Sequence, residues 1–370
     1  MTRLAQQHNA INLAQGFPDF DGPPELIAAA EQAMARGDNQ YARSQGHPLL
    51  VRAVTDTVRQ NYGLSYDPDT EVGTYHGATE GIAACLLGLL NPSDEIILFE
   101  PFYDSYPACA ELAGAVPRYY TLRYPDFAID GDELAALFTP RTRVLLLNTP
   151  HNPTGRVFSR AELETVARLC QKHDVVVVAD EVYEHLTFAG AKHVPIASLP
   201  GMRERTLTLS SAGKSFSMTG WKVGWATGPR ELITAAQTAH QFLTFCGATP
   251  LHVAVAQALR ELGADYFAQF RRDYEARRAL LLAALERAGF NPVAPAGTYF
   301  ILADISPLWD GDDVSFARHL VEQHGVAAIP TSVFYREHPE AGRSLMRFAF
   351  CKRPETLIAA GARLQGLRAR

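Results

Sequence analysis

The sequence predicts an α/β protein with a large unit, whose mostly parallel central sheet is sandwiched by helices, followed by a smaller α+β unit. Three observations carry this. Short β-branched or Leu-rich apolar runs alternate with helical stretches from about Pro24 to Ala264. The runs are continuously apolar, as expected of strands covered on both faces. A long charged, amphipathic stretch from Asp265 to Ala288 then precedes a second, smaller set of runs.

In chain order, helices are expected over Glu25 to Arg36 and Pro48 to Tyr62. Strands are expected over Glu71 to Tyr75, Glu95 to Phe99, Arg143 to Leu147, Asp174 to Ala179 and Thr206 to Leu209. The stretch holding Phe267, Phe270, Tyr274, Leu281 and Leu285 reads as one helix. Gly297 to Asp304, Ala327 to Pro330 and Leu345 to Phe350 suggest a smaller sheet. The expected division is 1–24 as an N-terminal segment packing with the small domain, 25–264 as the large domain, and 265–370 as a connecting helix with the small C-terminal domain. With no repeat, low-complexity tract or Gly/Ser linker, the parts must be joined through ordered structure.

A chain of 370 residues, 47% of them hydrophobic, can bury the core of a large enzyme. Its 34 basic and 40 acidic residues give a net charge of −6 without a basic stripe, which argues against nucleic acid and anionic membranes as partners. The five cysteines are scattered and form no C-x-x-C pair, so they read as buried thiols in a reducing compartment. No apolar run is long enough to span a bilayer, and Met1 to Asn9 has no signal-peptide core. A soluble cytoplasmic protein is the expectation.

In open α/β sheets, ligands collect at the carboxyl ends of the strands. Four runs end there in polar groups: Gly77-Ala78-Thr79-Glu80, Asn148 through Gly155, Asp180-Glu181-Val182-Tyr183 and Ser210-Ser211-Ala212-Gly213-Lys214. Singly, each has an ordinary explanation as a cap, a turn or a solvated charge. Together they offer a helix start for an anion, a carboxylate, a phenol, amides and an amine. Pyridoxal phosphate (PLP) requires that set for its phosphate, ring nitrogen and aldehyde. Gly213-Lys214-Ser215 imitates a P-loop, but Thr208 stands where its first glycine belongs, and no G-x-G-x-x-G follows a strand. His185 lacks the helical histidine partner of a zinc site, so it reads as structural and no metal is expected.

Seven motifs in order resemble fold-type I, class I PLP-dependent aminotransferases over nearly the whole chain. They are Ile11 through Phe20, Asn39-Gln40-Tyr41, Glu100 through Tyr106, Asn148 through Gly155, Asp180 through Glu184, Ser210 through Trp225, and Arg347-Phe348-Ala349-Phe350. The likeness points to the branch of methionine aminotransferases and of kynurenine aminotransferases with cysteine-conjugate β-lyase activity. It implies that Lys214 forms the Schiff base and moves the substrate proton, that Asp180 holds the ring-nitrogen proton, and that Tyr183 and Asn152 bond the phenolic oxygen. Tyr103 would stack on the ring. The backbone of Ala78 and Thr79, with Ser211, Lys222 and a partner subunit's copy of Tyr41, would hold the phosphate. Arg347, helped by Asn152 and the Gly16 backbone, would bind the substrate carboxylate; Phe17, Tyr299, Phe334 and a partner's Phe245 would wall the side-chain pocket.

Lysine at 222 stands where many relatives carry arginine, a departure shared with that branch. Relatives also begin with a longer segment that brings an aromatic residue over the pocket, so either the start is shortened here or the lid differs, and specificity from that side stays open. The resemblance implies transamination of methionine, aromatic or kynurenine-like amino acids with a 2-oxo acid, in a homodimer with shared active sites. The alternatives are a β-lyase acting on cysteine conjugates or cystathionine and, more remotely, a non-catalytic PLP-binding regulator, which would normally carry a basic DNA-binding module.

Overall fold

The computed structural model describes residues 1–367. Strands β1 (Val72–His76), β2 (Glu95–Glu100), β3 (Val116–Thr121), β4 (Thr142–Asn148), β5 (Val176–Asp180), β6 (Thr206–Ser211) and β7 (Val223–Thr227) form one sheet. Their order across it is β1-β7-β6-β5-β4-β2-β3. The five strands from β6 to β3 are parallel, while β7 runs antiparallel to both β6 and β1. Two reversals leave β1 pointing the same way as β6. The carboxyl ends of β1, β4, β5 and β6 therefore share one edge of the sheet.

The continuous apolar runs follow from cover on both faces. Ile96 and Leu98 of β2, and Val144 and Leu146 of β4, join one core, whereas Ile97, Phe99, Leu145 and Leu147 join the core of the opposite face. Helices α1 (Pro24–Arg36), α2 (Pro48–Tyr62), α3 (Gly77–Leu89), α4 (Arg160–His173), α5 (Arg230–Leu243) and α6 (Thr249–Glu261) surround the sheet. Residues of α3 and α5 belong to the first core, and Leu163, Val166 and Ala167 of α4 to the second. A Ser159–Glu162 capping box starts α4, satisfying backbone donors that a helix start leaves bare.

Helix α7 (Ala264–Arg287) is unbroken, as its periodicity predicts, and serves two cores. Phe267, near its start, packs with α1, α2 and α6; Tyr274, Leu281 and Leu285 pack with β8 (Phe300–Asp304), β9 (Leu345–Ala349) and α8 (Pro354–Leu364). Strands β8 and β9 are the centre of a four-stranded antiparallel sheet completed by Asn291–Pro292 and Ile329–Pro330. The N-terminal chain joins this part: Ile11–Asn12 pairs with Val326–Ala327, and Ala349 donates its N–H to the Leu13 carbonyl at 2.7 Å.

Three details depart from the sequence expectation. Strand β3 was missed because it is an edge strand, partly exposed and carrying Pro117 and Arg118, so it lacks a continuous apolar run. Strand β7 was missed because Gly224 and Ala226 interrupt its apolar pattern. Cys246 is partly exposed, whereas the other four cysteines are buried.

Gly224 has a spatial reason. A Cβ there would lie 2.6 Å from the Gly77 carbonyl carbon and 2.7 Å from the Ala78 nitrogen, so only hydrogen lets α3 begin this close to β7. Gly224→Ala is expected to destabilise the protein by about 1–3 kcal/mol, as overpacking does. A fall in the thermal unfolding midpoint would register it.

Candidate active site

The shared edge opens into a cavity of about 500 Å³. One end is the start of α3. Gly77 adopts a left-handed φ of +70°, and a Cβ on it would lie 3.1 Å from Lys222 Nζ. The Lys222 ammonium thus sits against a helix start whose first N–H groups, including those of Ala78 and Thr79, have no intrahelical acceptor. Ser211, at the end of β6, lines the same end. Helix dipole, bare donors and ammonium all favour an anion there.

The floor is the end of β5. Asp180 is buried, and its carboxylate accepts from the Tyr106 phenol at 2.6 Å and from the Val182 N–H at 3.3 Å. Burial raises its pKa, and those two bonds only partly oppose this. Asn148, ending β4, donates to the Asp180 carbonyl at 2.8 Å and accepts from the Asn152 N–H at 2.7 Å, fixing the Asn152 loop to the neighbouring strand. Below them, Ser210 donates to Glu184 at 2.5 Å and buried His193 lies 2.8 Å from Glu181, clamping the strand ends. His185 stacks on Phe267 at 3.8 Å, consistent with its structural reading.

Lys214 follows β6 in a single helical turn, Ala212–Ser215. Its ammonium donates to the Tyr299 phenol at 2.7 Å, and Tyr299 donates to the Gly16 carbonyl at 2.5 Å. Burial lowers the Lys214 pKa to about 8; Cys351 and Asp180 pull it upward, and Lys222 and Arg347 add to the lowering. This brings the neutral amine, the form that can attack a carbonyl, within reach near neutral pH.

Arg347, on β9, closes the other end. It is buried between the rings of Phe300 and Phe334, with Cζ 4.1 and 4.7 Å from their centroids. It donates to Asn152 Oδ1 at 2.9 Å and to the Ala14 carbonyl at 3.3 Å, while Nε is buried without a partner. Burial lowers its pKa to about 10. A buried guanidinium bonded to an amide and a carbonyl, with no carboxylate, is an incomplete anion site.

The cavity wall brings together Gly16, Phe17, Ala78, Thr79, Tyr103, Asn152, Asp180, Tyr183, Ser211, Lys214, Lys222 and Arg347. The buried Tyr183 ring meets Tyr299 edge-on at 5.2 Å, and Tyr103 meets Tyr106 edge-on at 5.6 Å. Tyr41 and Phe245 lie elsewhere: 83% and 38% exposed, they meet each other edge-on at 5.3 Å and do not line this cavity. Sequence reasoning assigned no role to Tyr106 or Asn148. Both lie inside quoted motifs, but only the spatial crossing of β4, β5 and the helix after β2 shows what they hold. Tyr299, expected in the pocket wall, instead bonds the amine.

The donor set fits pyridoxal phosphate. The α3 start, Lys222 and Ser211 would take the phosphate, Asp180 the ring nitrogen and Lys214 the aldehyde, and the orphaned Arg347 Nε is left for a substrate carboxylate. The family model for aminotransferase class I and II matches residues 8–362. The solved N-succinyldiaminopimelate aminotransferase of Mycobacterium tuberculosis superposes with a TM-score of 0.96 at 47% identity, covering 100% of this chain and 96% of that one. The methionine aminotransferase of Escherichia coli is 40% identical over 99% of this chain and 94% of its own. The kynurenine–oxoglutarate transaminase of Dictyostelium discoideum is 40% identical over 96% and 90%.

Because burial favours the neutral amine, Lys214 in protein stripped of bound small molecules should be acylated half-maximally near pH 8. Exposed lysines should require about pH 10.4. Peptide mass mapping of a pH series checks this.

Proposed function

Since the chain belongs to the class I and II aminotransferase family and is a PLP-dependent transaminase, we propose that its amino donor is an L-amino acid with an apolar side chain: methionine, an aromatic residue or a kynurenine-like one. The observation that carries this is the lining. Beyond Arg347 the cavity is walled by Phe17, Ile329, Val333 and Phe334, and among the described residues its lining cations are Lys214, Lys222 and Arg347. With those committed to amine, phosphate and α-carboxylate, no lining cation remains for an acidic side chain, and the apolar residues favour an apolar one.

When bound, PLP supplies an aldehyde that takes up the amino group and a ring that accepts the electron pair of the Cα–H bond. The protein's part is positioning and proton movement. Arg347 receives the α-carboxylate on its free edge, completing the bidentate pair that its burial demands. Asn152 steadies the guanidinium from the other side. Lys214, once its amine is free, would take the Cα proton on Nζ and hand it to the carbon that had carried the aldehyde. Asp180, held by Tyr106, is drawn back to the carboxylate by a cation against it and keeps that cation protonated. Tyr183 and Asn152 would donate toward the cofactor's phenolic oxygen, and the Tyr103 ring would cover one face.

The same reading includes an isologous homodimer in which Tyr41 and Phe245 enter the partner's cavity. Tyr41, Phe242 at 85% exposed, Leu243 and Phe245 form an exposed apolar group at the end of α5, which supports it. It also treats 25–264 and 265–370 as two domains bounding the cavity, with 1–24 packed on the second. Five unpaired thiols support a cytoplasmic setting. The 47% identity to the Mycobacterium tuberculosis enzyme favours a second substrate, N-succinyldiaminopimelate, whose distal carboxylate would need a cation from the partner subunit.

A panel of amino acids, each given to the holoenzyme without an oxo acid, tests the proposal through the change in cofactor absorbance. Methionine, phenylalanine and kynurenine should convert it fastest; faster conversion by N-succinyldiaminopimelate would replace the apolar reading. Arg347→Lys keeps the charge but loses the fork, so kcat/KM should fall about 10- to 100-fold for every donor, mostly through KM. The resting cofactor spectrum should be unchanged.

A further inference from the structure

Residues 13–19 form a strap that contributes Gln15, Gly16 and Phe17 to the cavity wall, and bonds from residues 299–356 tie down five of its seven residues. Ala349 N–H bonds the Leu13 carbonyl at 2.7 Å, Arg347 the Ala14 carbonyl at 3.3 Å, and Tyr299 the Gly16 carbonyl at 2.5 Å. Lys352 donates to the Phe17 carbonyl at 2.7 Å with Nζ 4.4 Å from the Phe17 ring. The Arg353 N–H and the Thr356 hydroxyl hold Asp19 at 2.6 and 2.7 Å. One strut differs from the others: the Tyr299 oxygen that donates to the strap also accepts from Lys214 Nζ at 2.7 Å.

We propose that Tyr299 is a positioning residue that couples the free amine of Lys214 to the strap, tightening residues 13–19 while the amine is free and relaxing them while the cofactor holds it. A phenol that accepts a strong donor becomes a better donor itself, so the Lys214 bond strengthens the bond to Gly16. Tyr299 is 1% exposed, with its ring fixed against Tyr183, Tyr274 and Phe300, so the hydroxyl cannot turn to water instead. The charged or titratable groups facing the amine from other elements are Asp180, Tyr183, Cys351, Lys222 and Arg347, and the bonded partner of Nζ is Tyr299. The consequence is timed closure. Lys214 is free while it must handle the Cα proton, and in that interval the strap is held down and water kept out.

The inference rests on Lys214 being the cofactor-bearing amine. Hydrogen exchange of the peptide covering residues 13–19 tests it in holoenzyme loaded with pyridoxal phosphate or with pyridoxamine phosphate. Exchange should be slower in the pyridoxamine form by up to about twofold, the effect of strengthening one existing hydrogen bond by roughly a tenth to a third. Tyr299→Phe, which keeps the ring, should erase the difference. Lys352→Met, which cuts a different strut, should speed exchange in both forms and preserve the difference. Equal exchange in the two wild-type forms, a difference that survives Tyr299→Phe, or one lost in Lys352→Met overturns the coupling. Borohydride reduction of the pyridoxal form separates the two failures: a label away from Lys214 overturns the underlying assignment, and a label on Lys214 with any of those exchange results overturns only the coupling.

Discussion

The architecture depends on desolvating three ionisable groups around one cavity without letting them neutralise one another. Asp180 and Arg347 are buried, Lys214 is partly so with its amine desolvated, and no two of them form an ion pair. Each is held by a neutral partner instead: Tyr299 for the amine, Tyr106 for the carboxylate, and Asn152 with the Ala14 carbonyl for the guanidinium. Neutral partners fix geometry while leaving charge to be satisfied by what enters. That is the electrostatic condition for binding a zwitterionic cofactor and an amino acid carboxylate together.

The fold supplies this condition through strand direction. Parallel β4, β5 and β6 deliver Asn148, Asp180 and Ser211 to one edge, and the antiparallel excursion through β7 brings β1 and the start of α3 to that same edge. Gly224 and Gly77 let the helix start approach closely enough for Lys222 to reach it. The opposite wall comes from β8, β9 and the N-terminal strap, so the cavity draws on residues more than three hundred positions apart. Helix α7, with one end in each core, fixes the relation between the two walls.

Much of this was legible in sequence because its causes are local. Both-face burial produces the apolar runs of β2, β4, β5 and β6, and the amphipathic period of α7 gives its length to within a residue at either end. Asp180, Lys214 and the α3 start could be found because each ends or closely follows an apolar strand run. Arg347 could be suspected from its apolar neighbours. What stayed hidden is pairwise and non-local. Nothing near Tyr106 predicts a bond to a residue 74 positions away, and nothing near Tyr299 predicts that it joins Lys214 to Gly16. An edge strand such as β3, half-exposed and carrying a proline, has no pattern for periodicity to detect.

The central claim is that the Lys214 amine moves the proton at the substrate Cα. Proton NMR of L-methionine incubated in D₂O with holoenzyme and no oxo acid measures this directly. The wild type should replace the α-hydrogen with deuterium, and Lys214→Ala, reconstituted with the cofactor and saturated with methionine, should leave it in place. α-Deuteration by that variant at the wild-type rate would contradict the account.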